Sequence, residues 1–114
     1  MMDASDRLWF GENNGDRIGM FDTRTRQFQE WPVPTPGAWP YDVTIDKEGS
    51  VWSGGEFNDR ILRLDPKSGR FLEYLLPKAT NVRRVFVDNH TAPPTFWVGS
   101  NHGASIVKLE RRGE

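Results

Sequence analysis

Few side chains in this sequence can do chemistry, and their types restrict what chemistry that is. There are two histidines, His90 and His102, and no cysteine. The lack of cysteine excludes disulfides, thiolate zinc sites and cysteine nucleophiles. His90 falls in the Pro-rich stretch Asn-His-Thr-Ala-Pro-Pro at 89–94 and reads as a solvated turn residue. His102, between Asn101 and Gly103, reads as an exposed or hydrogen-bonded loop residue. The Arg83-Arg84 pair has two readings: it can bind an anionic ligand, or it can pair with a carboxylate of a neighbouring structural unit. Trp39 and Tyr41 can form an aromatic wall, and Glu12 can cap a turn or accept from a backbone amide. The Pro-rich run 34–39 reads as a rigid connection, with polyproline recognition the weaker alternative.

The elements that must position these groups are constrained by composition. Fifteen Lys+Arg against sixteen Asp+Glu leave a net charge of −1, so nothing in the charge balance invites nucleic acid or an anionic membrane. No apolar run approaches the roughly 20 residues of a membrane-spanning helix. Residues 1–7 lack a basic stretch followed by an apolar one, so no secretory signal is read there. The chain as it stands is expected in the cytoplasm, while a longer parent is compatible with the periplasm. Eleven Gly and eight Pro disfavour long helices, and five Trp with seven Phe supply large aromatic area for short strands between turns.

A repeat organises the whole sequence. Trp9, Trp52 and Trp97 recur at intervals of 43 and 45 residues, each followed two places later by Gly11, Gly54 or Gly99. Asp16-Arg17-Ile18 and Asp59-Arg60-Ile61 hold the same distance from their Trp, as do Phe21-Asp22, Leu64-Asp65 and Leu109-Glu110. Asp3 and Asp46 both precede their Trp by six residues. In the middle unit, strands are expected at 41–46, 50–54, 60–64 and 71–76. Asp46-Lys-Glu-Gly49 and Asp65-Pro-Lys-Ser-Gly69 supply the hairpin turns. A 40–45-residue unit of four strands is the size of one propeller blade. The expected fold is therefore all-β: antiparallel four-stranded β-propeller blades, about two and a half of them, an incomplete propeller. An incomplete blade is expected at 1–36, a complete one at 37–78 and an incomplete C-terminal one at 79–114. The Trp series then serves packing between blades, and the Asp-Arg-Ile element a structural ladder.

Leu-Trp-Phe-Gly-Glu-Asn-Asn-Gly-Asp-Arg-Ile-Gly at 8–19, Phe-Asp at 21–22 and Pro-Val-Pro-Thr-Pro at 32–36 resemble the virginiamycin B lyase (streptogramin lyase) family. The stretch Phe-Trp-Val-Gly-Ser-Asn-His-Gly-Ala-Ser-Ile-Val-Lys-Leu-Glu at 96–110 resembles the C-terminus of bacterial propellers of that type. The resemblance implies a seven-bladed parent, of which this chain would be the last third. It also implies an elimination that opens a cyclic depsipeptide lactone, with a His base and a Mg²⁺ ion polarising the ester. In the family a His lies in a Pro-His-Gly element entering an innermost strand. Here those positions read Pro40-Tyr41-Asp42 and Val82-Arg83-Arg84, without the His. A second pair lies three and five residues past the blade Trp. It reads Glu12 and Asn14 in the first unit and Ser100 and His102 in the third.

The resemblance thus implies His102 as catalytic base and Glu12 as metal or ligand contact, while Tyr41 and Arg83, at equivalent positions entering adjacent innermost strands, are expected to face the central channel as ligand contacts. Mg²⁺ is the cofactor so implied, and none is expected to be needed for folding. No single blade carries both Glu and His. The isolated chain is therefore expected to be a non-catalytic ligand-binding or interaction scaffold for a small molecule or peptide, the lyase being the alternative. Open blade edges are expected to favour self-association.

Overall fold

A computed structural model describes residues 1–57, 59–77, 81–100, 103 and 105–112. Ten strands follow in chain order: β1 Arg7–Glu12, β2 Arg17–Asp22, β3 Gln27–Pro32, β4 Pro40–Ile45, β5 Val51–Gly55, β6 Arg60–Asp65, β7 Arg70–Leu75, β8 Val82–Asp88, β9 Thr95–Ser100 and β10 Ser105–Leu109. Among the described residues there is no helix. Among the described residues the strands form three antiparallel meanders, β1-β2-β3, β4-β5-β6-β7 and β8-β9-β10, and these sheets do not close into a ring.

Turn chemistry fixes the strand ends. In the β4–β5 hairpin Asp46 Oδ1 accepts from the amides of Glu48 and Ser50 (both 2.9 Å), and Gly49 takes φ +89°. Ser50 is consumed by that turn, so β5 starts one residue later than expected. Asp65 organises the β6–β7 turn in the same way, with Gly69 at φ +75°. In the first sheet Asp22 begins the matching turn, but Arg26 occupies the positive-φ position at +60°.

The repeated Asp and Trp form one device. The Trp9 indole donates to Asp3 Oδ2 (2.9 Å), and the Trp52 indole to Asp46 Oδ2 (2.8 Å). Each indole is thereby buried with its only polar atom satisfied. Trp9, Ile18, Met20 and Trp31 pack on Val43, Val51 and Leu64 of the middle sheet. Trp52, Ile61 and Leu76 pack on Val82, Val87, Phe96 and Val98 of the third. The core therefore lies between sheets, as blade stacking requires, and each fully buried large side chain contributes roughly 1.5–3 kcal/mol.

The glycine two places after each Trp allows this approach. A Cβ on Gly11 would lie 2.6 Å from the Pro40 carbonyl oxygen, and one on Gly54 would lie 2.7 Å from Val82 Cβ. The innermost strand of the following sheet is seated against that glycine.

Candidate functional site

The innermost strands of the second and third sheets share an irregularity. β4 pairs Pro40 with Gly55 and Val43 with Ser53; β8 pairs Val82 with Ser100 and Val85 with Val98. Each skips two residues of its own strand against one step less on the partner, so Tyr41-Asp42 and Arg83-Arg84 are bulge residues. Bulges re-aim side chains and are common beside functional sites. Tyr41 and Arg83 are both exposed and hold equivalent positions. Asp42 is built into the structure: Oδ1 accepts from the Val43 amide (3.1 Å) and Oδ2 from the Val85 amide of the next sheet (3.2 Å).

Arg83 does not stand alone. Its Nε donates to Asn81 Oδ1 (3.1 Å) and lies 3.4 Å from Glu56 Oε1. Of the two readings of the Arg pair, Arg83 therefore fulfils pairing with a neighbouring blade's carboxylate. Glu56 is buried and gathers all three sheets. Asn13, just after β1, donates through Nδ2 to Glu56 Oε2 (3.0 Å) and to the Trp39 carbonyl (3.1 Å). Asn81, before β8, donates to the Glu56 carbonyl (3.1 Å). An Arg and an Asn thus engage its two oxygens, and Glu56 anchors the three sheets to one another.

Above this anchor stands an aromatic pair. Trp39 and Phe57 meet edge to face with centroids 5.2 Å apart, both partly or largely exposed. Trp39 takes φ +51°, unfavourable for a bulky residue, and Asp16 holds it there. Asp16 Oδ2 accepts from the Gly37 amide (2.6 Å) and Oδ1 from the Trp39 amide (2.8 Å). The 34–39 run is indeed a pinned connection between sheets, since Glu73 also takes the amide and hydroxyl of Thr35 (3.1 and 2.7 Å). In the rest of the ladder element, Ile18 and Ile61 are buried and Arg17 and Arg60 pair with Glu30 and Glu73.

Glu12 goes elsewhere. It shares a sheet face with Arg17 and Glu30, the face of the first sheet turned away from the middle one. Its Oε2 is shielded from solvent and meets no N–H or O–H donor among the described residues. Its neighbour is the Glu30 carboxyl, and two carboxyls share a hydrogen bond only when one of them carries a proton. Burial, then the hydrogen bond and charge of Glu30, push the Glu12 carboxyl up; the bond from Glu12, with Arg17, holds Glu30 down. Among the described residues no three Asp, Glu or His side chains converge on a metal position. Mg²⁺ prefers several oxygens in near-octahedral array, and Glu12 bonded to Glu30 beside Arg17 does not offer that. His102 lies outside the described residues. His90 is exposed and bonds to Asp88 through Nδ1 (3.0 Å).

The structure thus ties Arg83 through Glu56 and Asn13 to the Trp39 carbonyl, leaves Tyr41 exposed on its bulge, and sets Glu12 beside Glu30 on another face. Sequence reasoning missed Glu56, Asn13, Asp16 as a clamp, and Phe57. The repeat register held a signal for two of them. The slot four residues past each Trp holds Asn13, Glu56 and Asn101, so the single acid stands out. The slot five past holds Asn14, Phe57 and His102, so the middle unit puts an aromatic ring where the resemblance implies a His.

No family model matches the chain, and no curated protein does. Solved structures do. A streptogramin B lyase structure aligns over 96% of this chain at 28% identity and TM-score 0.82. A catalytically inactive variant of virginiamycin B lyase from Staphylococcus aureus, with quinupristin, aligns over 99% at 22% and 0.75. The extracellular domain of a one-component system from B. thetaiotaomicron aligns over 96% at 17% and 0.65. The chain spans 35%, 40% and 16% of those three chains. Its three sheets have the virginiamycin B lyase-like β-propeller fold.

Proposed function

We propose that these blades form a ligand-binding arc of a virginiamycin B lyase-like propeller. The arc takes a peptide or small molecule with apolar, aromatic-accepting surface, and does not itself eliminate. The observation that carries this reading is the strained, exposed Trp39 clamped by Asp16 edge-on to Phe57, above a Glu56–Arg83 anchor assembled from three sheets. Exposed aromatics on a rigid base offer large contact area at low entropic cost, and backbone strain of this kind clusters at ligand clamps. Tyr41 and Arg84 extend the rim with a phenol and a cation, which give orientation. Elimination needs a base and an electrophilic partner within reach of one substrate. In this arc Glu56 is engaged by Arg83 and Asn13, and Glu12 is bonded to Glu30 on another face.

The probe is quinupristin, titrated calorimetrically into the full chain with lactone integrity followed by mass spectrometry. The expected result is saturable binding without ring opening. Trp39→Ala and Phe57→Ala should each weaken it roughly tenfold, the loss of one stacked aromatic contact. The melting temperature should stay near that of the parent chain. Absence of saturable binding sinks the reading. Turnover abolished by His102→Ala replaces it with the lyase.

A further inference from the structure

The chain displays both halves of its own inter-sheet interface, uncovered, at opposite ends. The half-interface built on the Trp strand consists of Trp, Gly two places later, and the Ile that pairs with that Gly. On the first and middle sheets it is filled: Ile18 and Ile61 are each 0% exposed. On the third sheet it is bare: Ile106, paired with Gly99, is 76% exposed, and a Cβ on Gly99 would meet nothing within 4 Å. Phe86, on the same face as Trp97, is also exposed.

The opposing half-interface is the face that the next sheet presents. The residue just before each Trp leads it: Val51 seats in the cluster around Trp9, and Phe96 stacks on Trp52 (4.8 Å), each 1% exposed. Its counterpart in the first unit is Leu8, 38% exposed. Around Leu8 the first sheet keeps the apolar surface of the middle one. Phe21 and Phe28, tilted together at 4.6 Å, stand where Leu64 and Phe71 stand. Phe10 fills the space above Gly19, where the middle sheet uses Ser53 and Leu62. The first-sheet face also carries Glu12, Arg17 and Glu30, with Arg17 paired to Glu30, and the third-sheet face carries Lys108, which pairs with Glu110.

We propose that the bare face of the third sheet docks the bare face of the first sheet of a second copy, Leu8 seating over Trp97 as Phe96 seats over Trp52. The repeat geometry that the chain uses twice internally is thereby used again between chains. Such a contact is head to tail, and closes if the rotation permits. Two copies supply six sheets, within the four to eight blades of closed propellers. The proposal is independent of the ligand reading, because neither Leu8 nor Ile106 belongs to the Trp39 rim.

The experiment is sedimentation equilibrium of the full chain across a concentration series, at pH 7. The expected species is a dimer of twice the 13.1 kDa chain mass. Leu8→Glu and Ile106→Glu put a charge on opposite halves of the contact at exposed positions, so near-UV circular dichroism should keep the wild-type spectrum. Each should weaken dimerisation roughly thirtyfold or more, the effect of burying an unpaired charge in an apolar contact. Mixed one to one, the two variants should recover a dimer through their single pair of intact faces. A wild-type monomer at every concentration overturns the proposal, and these faces then belong to further repeats or to another protein. Dimerisation of Leu8→Glu alone overturns it too, since the contact would then pair two identical faces.

Discussion

Trp52 and Trp97 hold the same slot of the repeat and lead different lives. Trp52 is stacked between Tyr74 (5.9 Å) and Phe96 (4.8 Å), has the Arg63 guanidinium 5.6 Å from its ring and gives its indole proton to Asp46. Trp97 keeps the basic contact, Lys108 at 5.4 Å, and remains half-buried. The turn before it is longer by three residues, so Thr91 rather than Asp stands six places ahead. In a repeat of this kind the Trp is half an interface, and its energetic value is set by the sheet that follows.

That comparison breaks most visibly by truncation. Trp52→Ala should cost about 3–5 kcal/mol, the usual range for a fully buried aromatic, whereas Trp97→Ala should cost about 1 kcal/mol. Urea unfolding at a concentration where the chain is monomeric measures both, and equal losses would refute the asymmetry. The glycines give the next largest contrast. Gly54→Ala drives a Cβ into the Val82 side chain and should cost about 1–3 kcal/mol by overpacking, while Gly99→Ala meets open space and should be near neutral in the monomer. If both are silent, β8 does not seat against Gly54.

How much of this was legible in the sequence follows from where each contact is closed. The hairpins were readable because Asp46, Gly49, Asp65 and Gly69 close them within a few residues. The blade count and Trp packing were readable because the repeat keeps its register. The bulges were not, because a bulge is set by two strands and leaves no mark on one. Nor was the Glu56 anchor: Asn13 reaches it across 43 residues, and Arg83 comes from the third sheet. Nor were the surroundings of Glu12, for a related reason. The resemblance supplied a role for its position, but its surroundings depend on Glu30, two strands away across the sheet.

Acid sharpens the role of the Asp–Trp device. Burial alone would raise the Asp3 pKa, but the bonds from the Trp9 indole and the Arg7 and Ser5 amides, with the Arg7 charge, outweigh it and lower it to about 2. The native carboxyl therefore titrates below its unfolded value of 3.8, so its contribution is present above about pH 4 and is lost as pH falls through about 2. Asp3→Asn should remove that part of the acid limb in a thermal-melt series from pH 5 to pH 2. An unchanged slope would mean that Asp3 is not the carboxylate holding Trp9.

The smallest expected effect separates two glutamates in one repeat slot, Glu30 and Glu73. Glu73 in the middle sheet accepts from the Thr35 amide and hydroxyl and pairs with Arg60 at 3.5 Å, and the residue in the Glu12 slot there is Gly55. Glu30 has Arg17 at 3.1 Å, but also the Glu12 carboxyl. Because the Glu12 pKa is raised in the native state, its contribution to stability is present at acid pH and lost as pH rises through the raised value; the lowered pKa of Glu30 works in the opposite sense. Glu12→Gln supplies an N–H donor to Glu30 without requiring a proton. It should raise the melting temperature at pH 7 by about 1–3 °C, the scale of a partly exposed interaction in a chain of this size, and change little at pH 4. Glu73→Gln should do the reverse, lowering the melting temperature at pH 7, because the amide nitrogen cannot accept from Thr35 or pair with Arg60. A stabilisation by Glu12→Gln that is equal at both pH values would show that proton sharing with Glu30 is not its source.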